Sequence, residues 1–363
     1  MQRRDFINTT LLVCASGVLP QLAFANDNKN SFGIEDKYRV FKIENDYILK
    51  SGDIAKLWVP LPLDASFQKL LKISFEGNFD EAFVSQNSPY DTRLLYAKWS
   101  KSDKPRELKV RYEVVEWTRA TDFSKATDKT NYPKGVAEFL KGTPHTPVSK
   151  FLTDYAANIT KNAKTPLQKA QKIYDWTTTN MYRDESVKGC GLGDATKVIE
   201  QKAFGGKCTD ISSVFVALLR NAGIPAREMF GIRAGQSKIS NACGKADDKG
   251  VAKITGAQHC RAEFYLDGIG WVPVDAADVA KVKLQDDLKT EDAKYQNVKK
   301  YFFGSWENNW VAFNYARDFV LEPKPTQFPL NMLGYPYGEI GEDVLDYYDP
   351  KTFTYSYLST EIK

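Results

Sequence analysis

Between Phe204 and Arg227 the chain reads FGGKCTDISSVFVALLRNAGIPAR, and this stretch limits the possible folds more than any other. Ile211, Val214, Phe215, Leu218 and Leu219 recur at the spacing of one helical face, so the segment predicts a helix that buries that face. Gly205 and Gly206 free the backbone just before it, and Gly223 with Pro225 ends it. Cys208 therefore falls in the first helical turn, where unpaired backbone N–H groups and the helix dipole favour a thiolate. Elsewhere a free cysteine is most simply a small buried hydrophobe. Here it is a candidate nucleophile, with its own amide placed to receive a developing oxyanion.

A thiolate needs a proton partner, and His259 is the candidate. In HCRAEFYL, residues 259–266, His259, Arg261 and Glu263 share one strand face, while Cys260, Ala262 and Phe264 share the other. Asp267-Gly268-Ile269-Gly270 signals a hairpin. Val272 and Val274 then belong to the core side, which turns Trp271, Pro273 and Asp275 the other way. Paired over one core, the two strands bring His259 and Asp275 to the same side, and helix and hairpin present Cys208, His259 and Asp275 to one cleft. The histidine takes the thiol proton and the carboxylate orients the ring. Arg227 and Glu263 read as structural ion-pair residues, Trp271 as packing, Cys260 as core and His145 as an exposed loop residue.

GKCTDISSVFVALLRNAGIPAR followed by HCRAEFYLDGIGWVPVD resembles the transglutaminase-like superfamily, a papain-type thiol fold with motifs in the order Cys, His, Asp. The likeness spans about Leu167 to Asp278. KIYDWTTTNMYRD resembles the lead-in helix of such domains, and NWVAFNYARDFVLEP with PLNMLGYPYGEI resembles the tail of exported bacterial members. The resemblance implies an α+β fold in which a helix carrying Cys208 packs on an antiparallel sheet carrying His259 and Asp275. It implies acyl transfer through a thioester, with Cys208 as nucleophile, His259 as general base and acid, and Asp275 as orienter. A further oxyanion donor is expected upstream, for which Tyr182 and Trp176 both qualify. Arg261 departs from the tryptophan that many relatives carry two places after the histidine, which bears on the shape of the acyl pocket.

The expected chemistry is peptide or amide hydrolysis on a protein, peptide or peptidoglycan-derived substrate. Cross-linking by transamidation and a non-catalytic envelope module are the alternatives. No cofactor or metal is implied, because the triad supplies nucleophile and proton transfer unaided.

The rest of the chain organises around this core. Short runs from Lys37 to about Ala120 alternate with period two, as in Ala55, Leu57, Val59 and Leu61 and again in Leu108, Val110, Tyr112 and Val114. They predict a β-sandwich over 36–122, ahead of a catalytic core over 123–282 and a C-terminal extension over 283–363 packed on that core. Thr146-Pro147 and Thr165-Pro166 each predict a helix start, the second opening an amphipathic helix to about residue 180. Gly189–Ala195 reads as a loop, and the polar stretch 235–256 as a surface loop or lid.

The first 25 residues, MQRRDFINTTLLVCASGVLPQLAFA, combine paired arginines, an apolar run and a small-x-small site near Ala25, the pattern of an export signal followed by a flexible linker over 26–35. Arg3-Arg4 resembles the twin-arginine class. An ordinary Sec signal fits the same pattern, and both lead to the periplasm. There Cys190, Cys243 and Cys260 are candidates for a disulfide. With 50 basic against 46 acidic residues, no one-sign run suggests a nucleic-acid partner. No later stretch reaches the ~20 apolar residues of a membrane span.

Overall fold

A computed structural model describes residues 32–34, 38–349 and 353–362. The period-two runs become β1 (Tyr38–Leu49), β2 (Ala55–Pro60), β3 (Gln68–Gly77), β4 (Glu81–Ser88), β5 (Thr92–Trp99) and β6 (Arg106–Trp117). The central helices are α1 (Lys150–Ile159), α2 (Pro166–Asn180), α3 (Ala195–Glu200) and α4 (Cys208–Asn221). Then come β7 (Ala226–Arg233), β8 (Val251–Lys253), β9 (Gln258–Leu266) and β10 (Gly270–Val274). After α5 (Ala276–Gln285) and α6 (Ala293–Tyr301), the chain closes with β11 (Trp310–Asn314), β12 (Tyr337–Ile340), β13 (Asp343–Val344) and β14 (Thr354–Ile362).

Strand β6 shows why the front module forms. Leu108, Val110, Tyr112 and Val114 are buried while Glu107 and Lys109 face water, so one pleat face has to be covered. Two five-stranded sheets cover each other, in the orders β8-β14-β1-β6-β3 and β13-β12-β2-β5-β4. Phe41, Ile43, Leu57, Leu95, Val110 and Tyr357 meet in the core between them. Residues 36–122 do not close this sandwich alone. Strand β14 pairs with β1 from Val40↔Ile362 to Ile48↔Thr354, and β12 pairs with β2. Part of the expected C-terminal extension thus belongs to the front module, because β1 and β2 would otherwise leave open edges.

The second half is a four-stranded antiparallel sheet, β10-β9-β7-β11, with α4 lying on β9 and β7. Every residue of α4 is buried, so it is the central helix of this half. Helices α1, α2 and α3 pack around it. Helix α2 starts as its sequence dictates, with the Thr165 hydroxyl accepting the Gln168 N–H at 3.2 Å and Pro166 in the first turn. Helix α1 begins later than Thr146-Pro147 predicts. Ser149 is its cap, accepting the Leu152 N–H at 3.3 Å, whereas the Thr146 hydroxyl accepts from Arg220 at 2.9 Å.

Residues 235–256 form a surface loop in part, with Lys245, Asp247, Asp248 and Lys249 exposed, but both ends are tied to the body of the protein. Ser237 donates to Glu307 at 2.6 Å, Ser240 donates to Asp286 at 2.9 Å, and β8 joins the front sheet beside β14. The serines of this stretch thus serve protein partners, while its charged residues face water. No described helix is long and apolar enough to cross a membrane. The expected signal segment and most of the linker lie outside the described residues.

Candidate active site

Cys208 opens α4, and the third residue of that helix fixes what surrounds it. The Asp210 carboxylate accepts the Lys207 N–H at 2.9 Å and the Gly193 N–H at 2.8 Å, tying the 189–193 loop to the helix start. Gly191, at φ +86°, lies so close that a Cβ there would fall 1.9 Å from an Asp210 carboxylate oxygen; one on Gly206 would fall 2.6 Å from Asp210 Cβ. Thr209 N–H donates to the Cys190 carbonyl at 2.9 Å. The Lys207 and Thr209 amides are therefore engaged, and the Cys208 N–H, by position, has no acceptor within the helix.

Strand β9 carries His259, whose carbonyl accepts from the Trp310 indole at 3.0 Å. At the end of β10, Asp275 caps α5, its Oδ1 accepting the Asp278 N–H at 2.8 Å. Its other oxygen, Oδ2, lies 2.8 Å from His259 Nε2 and accepts from Arg261 Nε at 3.1 Å. One carboxylate thus caps a helix and braces the ring. With Nε2 committed, Nδ1 remains, a buried nitrogen with no hydrogen-bond partner among the described residues, and it is the ring atom left to exchange a proton with Cys208, whose thiol feels the charge of His259. The polar face expected of β9 exists but is enclosed: Cys208 is 3% exposed, His259 1% and Asp275 0%.

The electrostatics favour an ion pair. Hydrogen bonds from the Cys190 and Cys260 thiols, then the hydrogen bond and charge of His259, hold the Cys208 thiol well below its ordinary range, although burial pushes it up. Burial and Arg233 press the His259 imidazolium to discharge, but Asp275 and Asp278 outweigh them and raise it above its ordinary value. Asp275 is pushed up by burial and by Asp278. Burial also works against the Asp278 carboxylate, yet Arg233 and His259 hold it well below the usual range. Three cations (Arg233, Arg261 and the imidazolium) thus face three anions (Asp275, Asp278 and the thiolate), so charging the thiol leaves the enclosed site neutral.

Other expected residues fall as follows. Tyr182 is largely exposed, and its ring borders Gly205 on the approach to Cys208. Trp176 packs edge-on against Tyr155 and Phe204, so its ring is committed to helix packing. Glu263 is paired with Arg227 at 2.8 Å and with Arg119, and Arg227 lies over the Trp271 ring at 4.1 Å. His145, expected as an exposed loop residue, is half-buried and hydrogen-bonded to Asp318 through its backbone N–H at 3.0 Å and its ring. Arg261, the departure from the family pattern, stacks on Trp310 at 4.8 Å and Trp306 at 5.4 Å, so tryptophans from elsewhere flank this position.

Cys190, Cys208, Cys243 and Cys260 are all free and buried, so the expected disulfide among Cys190, Cys243 and Cys260 is not formed. The charged neighbours of Cys243 are Asp278, Arg233, Asp275 and Glu307, whereas the sulfurs of Cys190, Cys208 and Cys260 lie within 4.8 Å of one another. Asp278, Arg233, Asp210 and Cys190 were missed as site residues. Asp278 and Asp210 carry a signal, an acidic residue in the first turn of a helix next to a triad member. Arg233 and Cys190 carry none, since only the fold brings them in.

The transglutaminase-like superfamily profile, Transglut_core, matches residues 153–276, which include Cys208, His259 and Asp275. A Haemophilus influenzae protein, described only as uncharacterized, is 44% identical over 354 residues, covering 94% of this chain and 96% of its own. The chain belongs to the transglutaminase-like superfamily. Its fold agrees: a candidate cysteine protease from Cytophaga hutchinsonii superposes with a TM-score of 0.53 at 16% identity, over 90% of this chain and 89% of that one. The periplasmic domain of TgpA from Pseudomonas aeruginosa gives a TM-score of 0.35 at 16% identity, over 70% and 77% of the respective chains.

Two groups in this transglutaminase-like site have donor atoms close enough for a metal ion: the three cysteines, and His259 with Asp275 and Asp278. In the second group, Arg233 and Arg261 already occupy the carboxylates, so a cation would compete with two guanidiniums.

Proposed function

We propose that this transglutaminase-like protein is a cysteine hydrolase of peptide or amide bonds, working through a Cys208 thioester with His259 and Asp275. The observation that carries the reading is the bracing of His259 through Nε2 while Nδ1 stays unpaired beside an acid-shifted thiol. The thiolate attacks the carbonyl carbon, and the oxyanion is received by the Cys208 amide. The imidazolium protonates the departing amine as the C–N bond breaks. Water, losing a proton to the same nitrogen, then attacks the thioester and releases acid and free thiol. Tyr182, whose ring borders Gly205, is the assigned side-chain donor to the oxyanion.

Hydrolysis is favoured over transamidation because water is the abundant nucleophile and needs no binding site of its own. The N-terminal segment supports export to the periplasm, with a protein, peptide or peptidoglycan fragment as substrate. Wild-type and Cys208→Ala proteins are incubated with envelope extract and a tagged amine, and products are compared by mass spectrometry. Cleaved products made only by wild type are expected. Tagged products in place of cleaved ones would show transamidation, and no difference between the two proteins would refute an enzyme.

A further inference from the structure

The triad uses one sulfur, yet three lie together. Those of Cys190, Cys208 and Cys260 are within 4.8 Å of one another, and all are free. Of the two bystanders, Cys260 is held in β9 opposite Phe230, with its sulfur 3.1 Å from the Thr209 hydroxyl. Cys190 is placed differently. Its carbonyl accepts from the residue after Cys208, Thr209, so the two backbones already touch. A disulfide needs Cα atoms about 4.4–6.8 Å apart, and this backbone hydrogen bond holds the two segments side by side. Outside the thiol cluster, the Cys190 sulfur gives up the Tyr335 hydroxyl at 3.1 Å and the Gln258 carbonyl at 3.6 Å. Gly189, Gly191 and Gly193 around it all adopt positive φ, so this loop owes its shape to glycines that carry no side chains to repack.

We propose that Cys190 is a resolving thiol for Cys208, so that a hydroperoxide converts the pair into a reversible Cys190–Cys208 disulfide. The Cys208 thiolate attacks a peroxide oxygen, the O–O bond breaks, and hydroxide leaves a sulfenic acid on Cys208. The Cys190 thiol then gives up its proton and attacks the Cys208 sulfur. The S–O bond breaks, and the departing hydroxide takes that proton to form water. In sum, two thiols and one hydrogen peroxide give one disulfide and two waters. Peroxide is small enough to reach an enclosed sulfur. The ionisation states agree with these roles: the Cys208 thiol is acid-shifted, while Cys190, donating its hydrogen to that sulfur and buried, keeps its own proton. The disulfide spares the nucleophile from irreversible sulfinic acid and silences it until a dithiol reduces it. The cross-link stands on geometry alone, and only its effect on turnover rests on the function proposed above.

The test treats the whole protein with hydrogen peroxide, blocks remaining thiols, and maps peptides without reductant. The expected result is a peptide pair joined through Cys190 and Cys208 in wild type and in Cys260→Ser. In Cys190→Ser, dimedone should trap Cys208 sulfenic acid, and the fraction of Cys208 restored by dithiothreitol should fall by at least about tenfold relative to wild type. Near-UV circular dichroism establishes that each variant is folded. Absence of the 190–208 pair from oxidised wild type, a pair formed through Cys260 instead, or equal recovery in folded Cys190→Ser would each overturn the proposal. Because the readout is a covalent map and needs no substrate, it can succeed even if the protein hydrolyses nothing, and it can fail while turnover is robust.

Discussion

His259 Nε2 lies 2.8 Å from Asp275 Oδ2, and the other oxygen of the same carboxylate caps helix α5 through the Asp278 N–H. The two duties separate by substitution. Asp275→Asn keeps an oxygen for the cap but no longer fixes the imidazole, so turnover should fall about ten-thousandfold, while the loss of stability comes from the buried Arg261 left without its carboxylate and not from the cap. Asp275→Ala should in addition cost at least about 1 kcal/mol for the lost cap. Activity assays and urea denaturation on both variants check this.

The raised His259 and lowered Cys208 define a window in which the ion pair exists. It is lost as pH falls through the depressed thiol value and as pH rises through the elevated imidazole value. Modification of Cys208 by iodoacetamide, followed by mass spectrometry, should therefore stay on its plateau well below the ordinary thiol value of 9.0. In His259→Ala the inflection should move upward by about one pH unit or more. A wild-type inflection in the ordinary range would contradict the ion pair. The stability term has matching signs. The imidazole contribution is complete below its unfolded value of 6.5 and fades as pH rises through the folded one; the thiolate contribution fades as pH falls through its own folded value.

Arg233 and Asp278 form a buried ion pair, 8% and 0% exposed. Asp278→Ala leaves an uncompensated guanidinium in the interior and should destabilise the protein by about 3–5 kcal/mol. Adding Arg233→Met should recover part of that loss, which double-mutant denaturation curves measure directly.

Tyr357 of β14 is buried in the sandwich core, its hydroxyl 2.9 Å from that of Tyr47. Tyr357→Phe should cost about 1 kcal/mol through the lost hydrogen bond. Tyr357→Ala should cost about 3–5 kcal/mol through the cavity. Thermal and urea unfolding separate the two.

What the sequence revealed and what it withheld differ in range. Helix α4, helix α2 and the β9–β10 hairpin are local patterns, a 3.6 period bounded by glycine and proline or a period of two broken by DGIG, and all three are present. Cys208 and the His259–Asp275 pair followed from those elements. The closing of the sandwich did not, because the chain beyond about residue 284 shows no clear periodicity and nothing near β14 says that it pairs more than 300 residues upstream. Polar residues in 235–256 were read as solvent-facing, and Lys245, Asp247, Asp248 and Lys249 are, yet Ser237 and Ser240 spend their hydroxyls on Glu307 and Asp286. The thiol cluster was equally hidden: a loop, a helix start and a strand each contribute one cysteine.

The pairing of Val40 with Ile362 also has a consequence for biosynthesis. A nascent chain leaving the ribosome holds β1 ready long before its partner exists, and the first sheet stays incomplete until residues 354–362 emerge. The thiol, the imidazole and the carboxylate are all translated inside that interval. Maturation of the polypeptide is therefore gated by its final strand, and a prematurely terminated product would carry the reactive residues without the finished scaffold.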